Sequence, residues 1–596
     1  MKSTRQRFHR RLGRRGVDVL RAFQAAAEQA LDEALGALGY HGERPHLEVP
    51  PDAAMGDLGM PCFALAKALR KAPHAIAAEL AAAVAARVTA GGDIAKVAAV
   101  GPYVNLWLDG PSLATAVLTG KPLEAAAKPG KVLLEHTSAN PNGPLHVGRA
   151  RNPILGDTLA RILRAAGHDV EVQYYMDNLG RQVALLYWGK RHIPAASLPL
   201  AARDKVDHDL VRYYQAANDR MQADAAVADE VKELVARLET ADAALLAEVR
   251  EVYEACFSGM QESLRRLGVR YDSIKDESDL VASGDVEDTI RRLQQSARAS
   301  REDDGANYLD MADELQGSKS TKFYFTRRDG SSVYATRDVA YHKWKAELVG
   351  PEGRLLDVLG EDHRLQALQV GIALAELGHR RPDVVFYAFV SLPTGKMSTR
   401  ANRVVFLDDL LDEAVERADV AVRQRRGQEL PEDDLRRIAE AVGVAAVRFN
   451  IAKVQPEKPI QFRWEEALDF EGDSAPYLMY AHARAASLLR KAAEAGLTPG
   501  KGALTAPPGD GEVQLCKAIA RFVQTVEDAA TRAAPHRVCA YATELASAFN
   551  EYYRDHPVVA CEDPAVQALR LRAVAAADAA LVAVHDALGI PVLDAM

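Results

Sequence analysis

The sequence predicts an α/β protein in three parts: a doubly wound parallel sheet in the middle, an α+β unit before it and an all-α helical bundle after it. Three observations carry this. The order apolar strand, turn, amphipathic helix, apolar strand occurs twice between residues 131 and 390, and two such β-α-β units imply a parallel sheet whose ligand crevice lies beyond the carboxyl ends of its strands. Ahead of them, two Ala-rich helical stretches flank a turn-rich segment and lead into an alternating strand. After Val404 the chain reads as helix almost throughout, broken by one Gly/Pro-rich loop at 495–511.

The elements follow in order. The first fifteen residues include Lys2, Arg5, Arg7, Arg10, Arg11, Arg14 and Arg15, and no apolar core of the kind a secretory signal needs follows them. They read as a solvated basic arm, an Arg-rich transit segment or an over-extended start. A helix from Val17 to about Leu38, the turn-forming PPDAAMGDLGMP, a helix over AIAAELAAAVAARV and a strand over VAAVGPYVNLWLD make up an N-terminal domain, residues 1–126. In the second domain, residues 127–404, Val132–Leu134 is a strand and PNGP a turn. Leu155, Leu159, Ile162 and Leu163 mark a helix from about His146 to Ala166, and the strand of Val170 and Val172 closes the unit. LLDVLG, a helix face of Leu365, Leu368, Ile372 and Ala375, and VVFYAFV repeat the pattern. The charged helical stretch at about 190–300 reads as an insertion between the two units, and residues 405–596 as the helical bundle.

Composition excludes several functions. At 48% hydrophobic and 26% charged the 596-residue chain is that of an ordinary globular protein, and it has no uninterrupted apolar run of membrane-spanning length. Five scattered cysteines, Cys62, Cys256, Cys516, Cys539 and Cys561, form no CxxC pair, so neither a disulfide framework nor a cysteine zinc site is indicated. A reducing cytoplasm is the expected location. The net charge of −9 by itself counts weakly against a dedicated nucleic-acid binder, which needs clustered Lys and Arg.

The phosphate-binding motifs divide the enzyme classes. TGKMS is no P-loop, because Met397 stands where Ser or Thr should meet magnesium and no glycine lies at the upstream spacing. No GxGxxG follows a strand. What does exist is His146-Val147-Gly148-Arg149 at a strand-turn-helix junction. There a glycine lets a ring or phosphate approach the backbone, and an imidazole can donate to a phosphate oxygen. A turn histidine is the plainer reading of that motif alone. Pro393 to Arg400, after the last apolar strand, is a small-residue loop carrying Lys396, Ser398 and Arg400. It reads either as a solvated basic loop or as a cationic clamp for a pyrophosphate leaving group.

Together, HTSANPNGPLHVGRARNPILGD and GKMSTR resemble, in that order, the HIGH and KMSKS signatures of the class I aminoacyl-tRNA synthetases, and within that class the arginyl family. GDLGMPCFALAK, GPYVNLWL, YMDNLGRQ, YATRDVAY, FEGDSAPYLMYAHAR and LGIPVLDAM extend the resemblance over nearly the whole chain. It implies a Rossmann-like catalytic domain, an N-terminal domain that contacts the tRNA elbow and a C-terminal anticodon-binding domain. The activity implied is ligation of L-arginine to tRNA(Arg) through an arginyl adenylate, with ATP and its Mg2+ as substrate complex, no protein metal cage, and a monomeric chain.

Residue by residue, the resemblance places Ser138, Asn140, Asp177, Gln182, Tyr334 and Asp338 in the arginine pocket. ATP falls to His146, Gly148, Arg149, Gly360, His363, Lys396, Met397 and Ser398, with His146, Lys396 and Arg400 stabilising the transferring phosphate. Tyr334 and Asp338 are spaced i, i+4 and share a helix face, and a carboxylate can accept two parallel N–H bonds from a guanidinium. Tyr480, Arg484 and Tyr553 stand for a tRNA-binding region in the bundle, where tyrosines could equally be core. Arg149 occupies the place of the second HIGH histidine. That departure leaves open a catalytically silent tRNA-binding or sensor protein, and the HxGx helix alone would also suit a nucleotidylyltransferase, which has no use for the helical C-terminal third.

Overall fold

The computed structural model describes residues 16–596 except 51, 89–91, 318–319, 393–394, 397–404 and 427–428. The N-terminal unit runs α1 (Gly16–Ala37), β1 (Leu58–Pro61), α2 (Pro73–Ala85), β2 (Ile94–Val100), β3 (Tyr103–Leu108) and α3 (Gly110–Thr119). The single strand expected over VAAVGPYVNLWLD is a hairpin. β2 and β3 pair antiparallel across Gly101, whose φ of +58° only glycine adopts freely, and β1 joins the other edge of β3. Phe23, Ala27, Leu31 and Leu35 of α1 and Ile76, Leu80 and Val84 of α2 are buried, so the apolar stripes of the Ala-rich helices supply the core of this unit.

The central sheet is wholly parallel, with strand order β11-β10-β4-β5-β6. β4 (Lys131–Glu135) leads through α4 (Arg151–Ala165) to β5 (Asp169–Met176). Four helices follow, α5 (Arg181–His192), α6 (Val206–Ala223), α7 (Ala225–Glu239) and α8 (Ala243–Arg266), before β6 (Ser273–Asp276). The chain then passes through α9 (Glu277–Ala282), α10 (Asp285–Leu293) and a small antiparallel sheet of β7 (Ala299–Arg301), β8 (Asn307–Asp310) and β9 (Lys322–Tyr324) to α11 (Tyr334–Val349). It returns on the far side of β4 as β10 (Arg354–Gly360), α12 (Arg364–Glu376) and β11 (Asp383–Tyr387). The strand order therefore reverses between β4 and β10, where a doubly wound sheet opens a crevice at its carboxyl ends.

Three expectations are corrected. The stretch at about 190–300 is not insertion alone, since β6 within it is the edge strand of the main sheet. β6 is short and half-exposed, with Ile274 47% accessible, so it lacks the apolar run that marks the inner strands. The helix expected from His146 starts as a 3-10 turn, Val147–Arg149, and becomes α-helical only at Arg151. On α12, Ile372 is buried but Leu365 and Leu368 are exposed, and Val370, Ala373 and Leu374 form the packed face instead.

Beyond β12 (Val390–Leu392) and β13 (Gly395–Lys396) come α13 (Leu407–Arg426) and α14 (Glu432–Ala452). The chain then returns to the catalytic unit, because β14 (Ile460–Gln461) pairs with β12. The bundle continues with α15 (Ala475–Glu494), α16 (Asp510–Arg532), α17 (Pro535–Asp555) and α18 (Pro564–Leu588) around Leu478, Ile519, Val526, Leu545, Phe549, Val574 and Leu581.

Buried polar groups join bundle and sheet. Arg448 of α14 is fully buried and donates to Asp157 of α4 (2.6 Å) and to the carbonyls of Leu267 (2.8 Å) and Leu588 (3.1 Å). Removing one partner of such a pair strands a buried charge, at a cost of about 3–5 kcal/mol. Arg448→Ala is accordingly expected to lower the thermal midpoint by several degrees, measured calorimetrically; a midpoint within a degree of the parent would contradict this role.

Candidate active site

A cavity of about 380 Å³ lies at the switch point, lined from both sides of the crevice by Glu135, Ser138, Asn140, Arg149, Asn152, Tyr175, Asp177, Tyr334, Asp338, His342, Asp357, Gly360, His363, Gln366, Tyr387 and Phe389 among others. Of the residues singled out from the sequence, Ser138, Asn140, Arg149, Asp177, Tyr334, Asp338, Gly360 and His363 are brought together here. His146, Gly148 and Gln182 do not line this cavity. Met397, Ser398 and Arg400 of the loop lie outside the described residues, and of Lys396 only the strand position in β13 is described.

The turn after β4 aims Ser138 and Asn140. Thr137 and Ser138 have φ of +70° and +39°, a left-handed conformation that costs such residues roughly 1–3 kcal/mol each and persists only where the surroundings hold it. Here they do. The Thr137 N–H donates to Asn152 Oδ1 (2.7 Å), and the Asn152 amide donates to the Val358 carbonyl of β10 (2.9 Å). Ser138 Oγ donates to Glu135 Oε1 (2.9 Å) and accepts from the Tyr175 N–H (3.1 Å). Gly156 of α4 permits the close approach this requires: a Cβ there would lie 2.2 Å from the His136 ring.

On the β5 side, Asp177 accepts from Asn140 Nδ2 (3.2 Å) and from the Gly180 N–H (3.0 Å). Gln182 is engaged elsewhere, its Oε1 accepting from Asn142 Nδ2 (2.8 Å). Behind Asp177 stands Glu277, fully buried, whose Oε1 accepts from Arg337 Nε (2.8 Å) while its protonated carboxyl faces the Asp177 carboxylate. Burial pushes the Glu277 carboxyl up to about 8; Arg337 opposes the rise and the neighbouring Asp177 carboxylate adds to it.

Across the crevice, Tyr334 begins α11 and Asp338 follows one turn later. Asp338 is bonded by His342 Nδ1 (3.0 Å) and Gln366 Nε2 (3.2 Å). Glu135, His342, Lys345, Asp357 and Gln366 were not singled out from the sequence. Each would pass there as a strand-end acid or a helix-surface polar residue, and only the tertiary packing makes one array of them.

At the other end of the cavity the walls change character. Leu359, Val384, Pro382, Tyr387 and Phe389 offer apolar and aromatic surface beside Gly360 and His363, and the exposed Arg149 side chain stands at the rim. Arg149 has no ion pair among the described residues. His146 caps the 3-10 turn: its Nδ1 accepts from the Gly148 N–H (2.9 Å), which assigns the ring proton to Nε2 and leaves that N–H as a donor. Burial, then Arg149, lowers the His146 pKa, so the ring is neutral at pH 7.

In the bundle, Arg484 lies between the exposed rings of Tyr480 (4.7 Å) and Tyr553 (5.0 Å) and donates to Asn550 Oδ1 (3.0 Å). Tyr552, by contrast, is core and donates to Glu512. Tyr480 and Arg484 line a second cavity of about 620 Å³ with Arg425, Arg426, Phe470 and Met596, and Arg425 stacks on Phe470 at 4.0 Å.

Residues 113–464 match the family model for the class I (R) tRNA synthetase catalytic domain, residues 22–108 that for the arginyl tRNA synthetase N-terminal domain, and residues 478–596 the DALR anticodon-binding domain. The chain is 44% identical over 539 residues to the arginine–tRNA ligase of Methanocella arvoryzae, covering 90% of this chain and 92% of that one. It is 38% identical to the arginine–tRNA ligase of Methanosarcina barkeri, over 96% and 99%. The solved arginyl-tRNA synthetase of Thermus thermophilus superposes with a TM-score of 0.80 at 31% identity, over 96% and 100% of the two chains. The chain belongs to the arginyl family of class I tRNA synthetases.

The Glu277 carboxyl binds its proton more tightly in the folded protein than in the unfolded chain. Its contribution to stability is therefore full below pH 4.5 and is lost as pH rises through about 8. The thermal midpoint of Glu277→Gln should fall less than that of the parent between pH 6 and 9; parallel pH curves would exclude a raised Glu277.

Proposed function

We propose that this member of the arginyl synthetase family ligates L-arginine to tRNA(Arg) in two steps, with MgATP as substrate. The observation that carries the reading is how charge is sorted in the switch-point cavity: the carboxylates of Asp338, Asp177 and Glu135 gather around Tyr334, while Arg149, with Asp362, stands by Tyr387 among apolar walls. A free arginine carries its charges in the order such a cavity accepts. Its guanidinium goes to Asp338 with Tyr334, its α-ammonium to Asp177, Asn140 and Ser138, and its carboxylate turns towards the phosphates.

In the first step an arginine carboxylate oxygen attacks the α-phosphorus of ATP. The bond to the β,γ-pyrophosphate breaks, and arginyl adenylate forms. No protein nucleophile is needed, so catalysis rests on alignment and on neutralising charge that develops on the phosphates. The adenine lies between Gly360, His363 and the walls of Tyr387 and Phe389. The neutral His146 donates from Nε2, and Arg149 contributes a fixed positive charge; Lys396 and Arg400, with Met397 and Ser398 between them, close on the pyrophosphate. In the second step a terminal ribose hydroxyl of the tRNA attacks the adenylate carbonyl and AMP leaves.

The N-terminal domain serves the tRNA elbow and the bundle its anticodon. Unpaired bases stack on exposed aromatics and arginines, worth about 1–3 kcal/mol per base, and Tyr480, Arg484 and Tyr553 form such a platform. Free, mostly buried cysteines accord with a reducing, cytoplasmic location, and the family resemblance with a monomer.

Pyrophosphate exchange into ATP, run with each amino acid with and without tRNA, should proceed with arginine alone; no exchange with any of them would sink the proposal. Lysine lacks the planar fork and leaves pocket acceptors unpaired, a difference that can reach ~10⁴ in kcat/KM. Asp338→Ala should erase most of that discrimination, and unchanged arginine kinetics would refute the guanidinium assignment. Lys396→Ala should slow adenylate formation by roughly 10²-fold, as loss of a transition-state donor does, while tRNA affinity stays near that of the parent.

A further inference from the structure

The acid that faces the guanidinium does not stand alone. His342 sits one turn after Asp338 on α11, with its imidazole buried between two carboxylates. Nδ1 lies 3.0 Å from Asp338 Oδ1 and 2.8 Å from the Asp338 carbonyl, and Nε2 lies 2.9 Å from Asp357 Oδ2 on β10. Lys345, fully buried one turn further along, reaches Glu135 Oε2 on β4 and Asp357 Oδ1 on β10, both at 2.8 Å. Glu135 and Asp338 line the cavity, and His342 and Lys345 hold them from behind through the shared Asp357.

We propose that His342 is a positioning residue for arginine recognition: as an imidazolium it fixes and orients the Asp338 carboxylate, and with Lys345 it forms a cationic pedestal beneath Asp338 and Glu135. The inference rests on the assignment of Asp338 to the guanidinium made above. Nδ1 faces two oxygens of Asp338 and therefore donates, and Nε2 lies nearer Asp357 Oδ2 (2.9 Å) than the Lys345 ammonium (3.1 Å), so a proton on Nε2 as well meets an acceptor. The charges agree. Three carboxylates, Glu135, Asp338 and Asp357, meet two cations, so one negative charge is left over for a cationic substrate. Burial and the Lys345 ammonium, 3.1 Å from Nε2, oppose protonation, but Asp357 and Asp338 outweigh them and hold the His342 pKa up to about 10.

The same geometry decides against a cation site. The ligand atoms of Glu135, His342 and Asp357 lie within 4.8 Å of one another, and the Lys345 ammonium, bonded to both acids, supplies the cation there.

The consequence is a specific kinetic pattern. Without the imidazole donor, Asp338 keeps the Gln366 amide but loses the contact that orients its other oxygen, so arginine binding suffers while ATP binding and the chemical step do not. In His342→Gln the arginine KM should rise about 10- to 100-fold, with kcat and the ATP KM within about threefold of the parent. An unchanged arginine KM overturns the proposal, and so does an equal loss for arginine and ATP, which marks a merely structural residue. Asp338→Ala is the companion. If it impairs arginine use and His342→Gln does not, the pedestal fails alone; if neither does, the guanidinium assignment fails with it. A second measurement needs no altered fold: in the full-length enzyme with 15N-labelled histidine, one buried imidazole should keep both ring protons at pH 8.5. A ring with one proton there, at the resonance lost in His342→Gln, overturns the proposal.

Discussion

The buried polar face of α4 fixes the rest of the molecule. A helix that packs against a sheet normally turns apolar residues inward, and α4 does so with Ile154, Leu155, Leu159 and Ile162, but Arg151, Asn152 and Asp157 are buried with them. Such groups are tolerated only where each finds partners, and their partners lie far apart in the chain. Arg151 donates to the carbonyls of Ala388, Gln455 (2.8 Å) and Lys458 (2.8 Å), which ties the sheet to the segment returning from α14. Asn152 ties the turn after β4 to β10, and Asp157 receives Arg448 from the bundle. One helix thus sets the relation of β4, β10, β11 and the helical domain, and the 3-10 turn that leads into it carries the HxGx motif.

That constraint explains how a strained turn can persist at the site. Thr137 and Ser138 occupy left-handed backbone conformations that neither residue prefers, and the Asn152 clamp with the Glu135 and Tyr175 contacts over-determines them. The strain presents Ser138 and Asn140 to the cavity at the point where the strand order reverses. Residues 405–407 join the same assembly, since the Val147 N–H donates to the Val405 carbonyl (3.0 Å) and the Leu407 N–H to the Leu145 carbonyl (2.8 Å). The segment after the GKMSTR motif is thereby moored beside His146.

Electrostatics then divides the cavity. Acids gather on β4, β5 and α11, each held by a cation or a donor behind it. The opposite rim carries Arg149 without an ion pair among the described residues and a His146 kept neutral. An average of −9 over the chain says nothing about this arrangement, because the charge that matters is sorted within a few ångströms. The same applies to the aromatic and arginine cluster in the bundle, where Tyr480 and Tyr553 are exposed while the adjacent Tyr552 is core, a difference set by the helix face each occupies.

The sequence by itself determined the two β-α-β units, the doubly wound class of the sheet and the residue types of both signature motifs. Periodicity and short motifs are local, and local signals survive in a single chain. It also placed Tyr334 and Asp338 on one helix face by spacing alone. Only the tertiary structure decided that Ser273–Asp276 is an edge strand, that Gln182 turns to Asn142 rather than into the cavity, and that Glu135, His342, Lys345, Asp357 and Glu277 belong with the site. These residues come from four separate elements, β4, α9, α11 and β10, and have no motif of their own. Their roles come from desolvation and from opposite charges at 3 Å, which exist only once β4, β10 and α11 have packed.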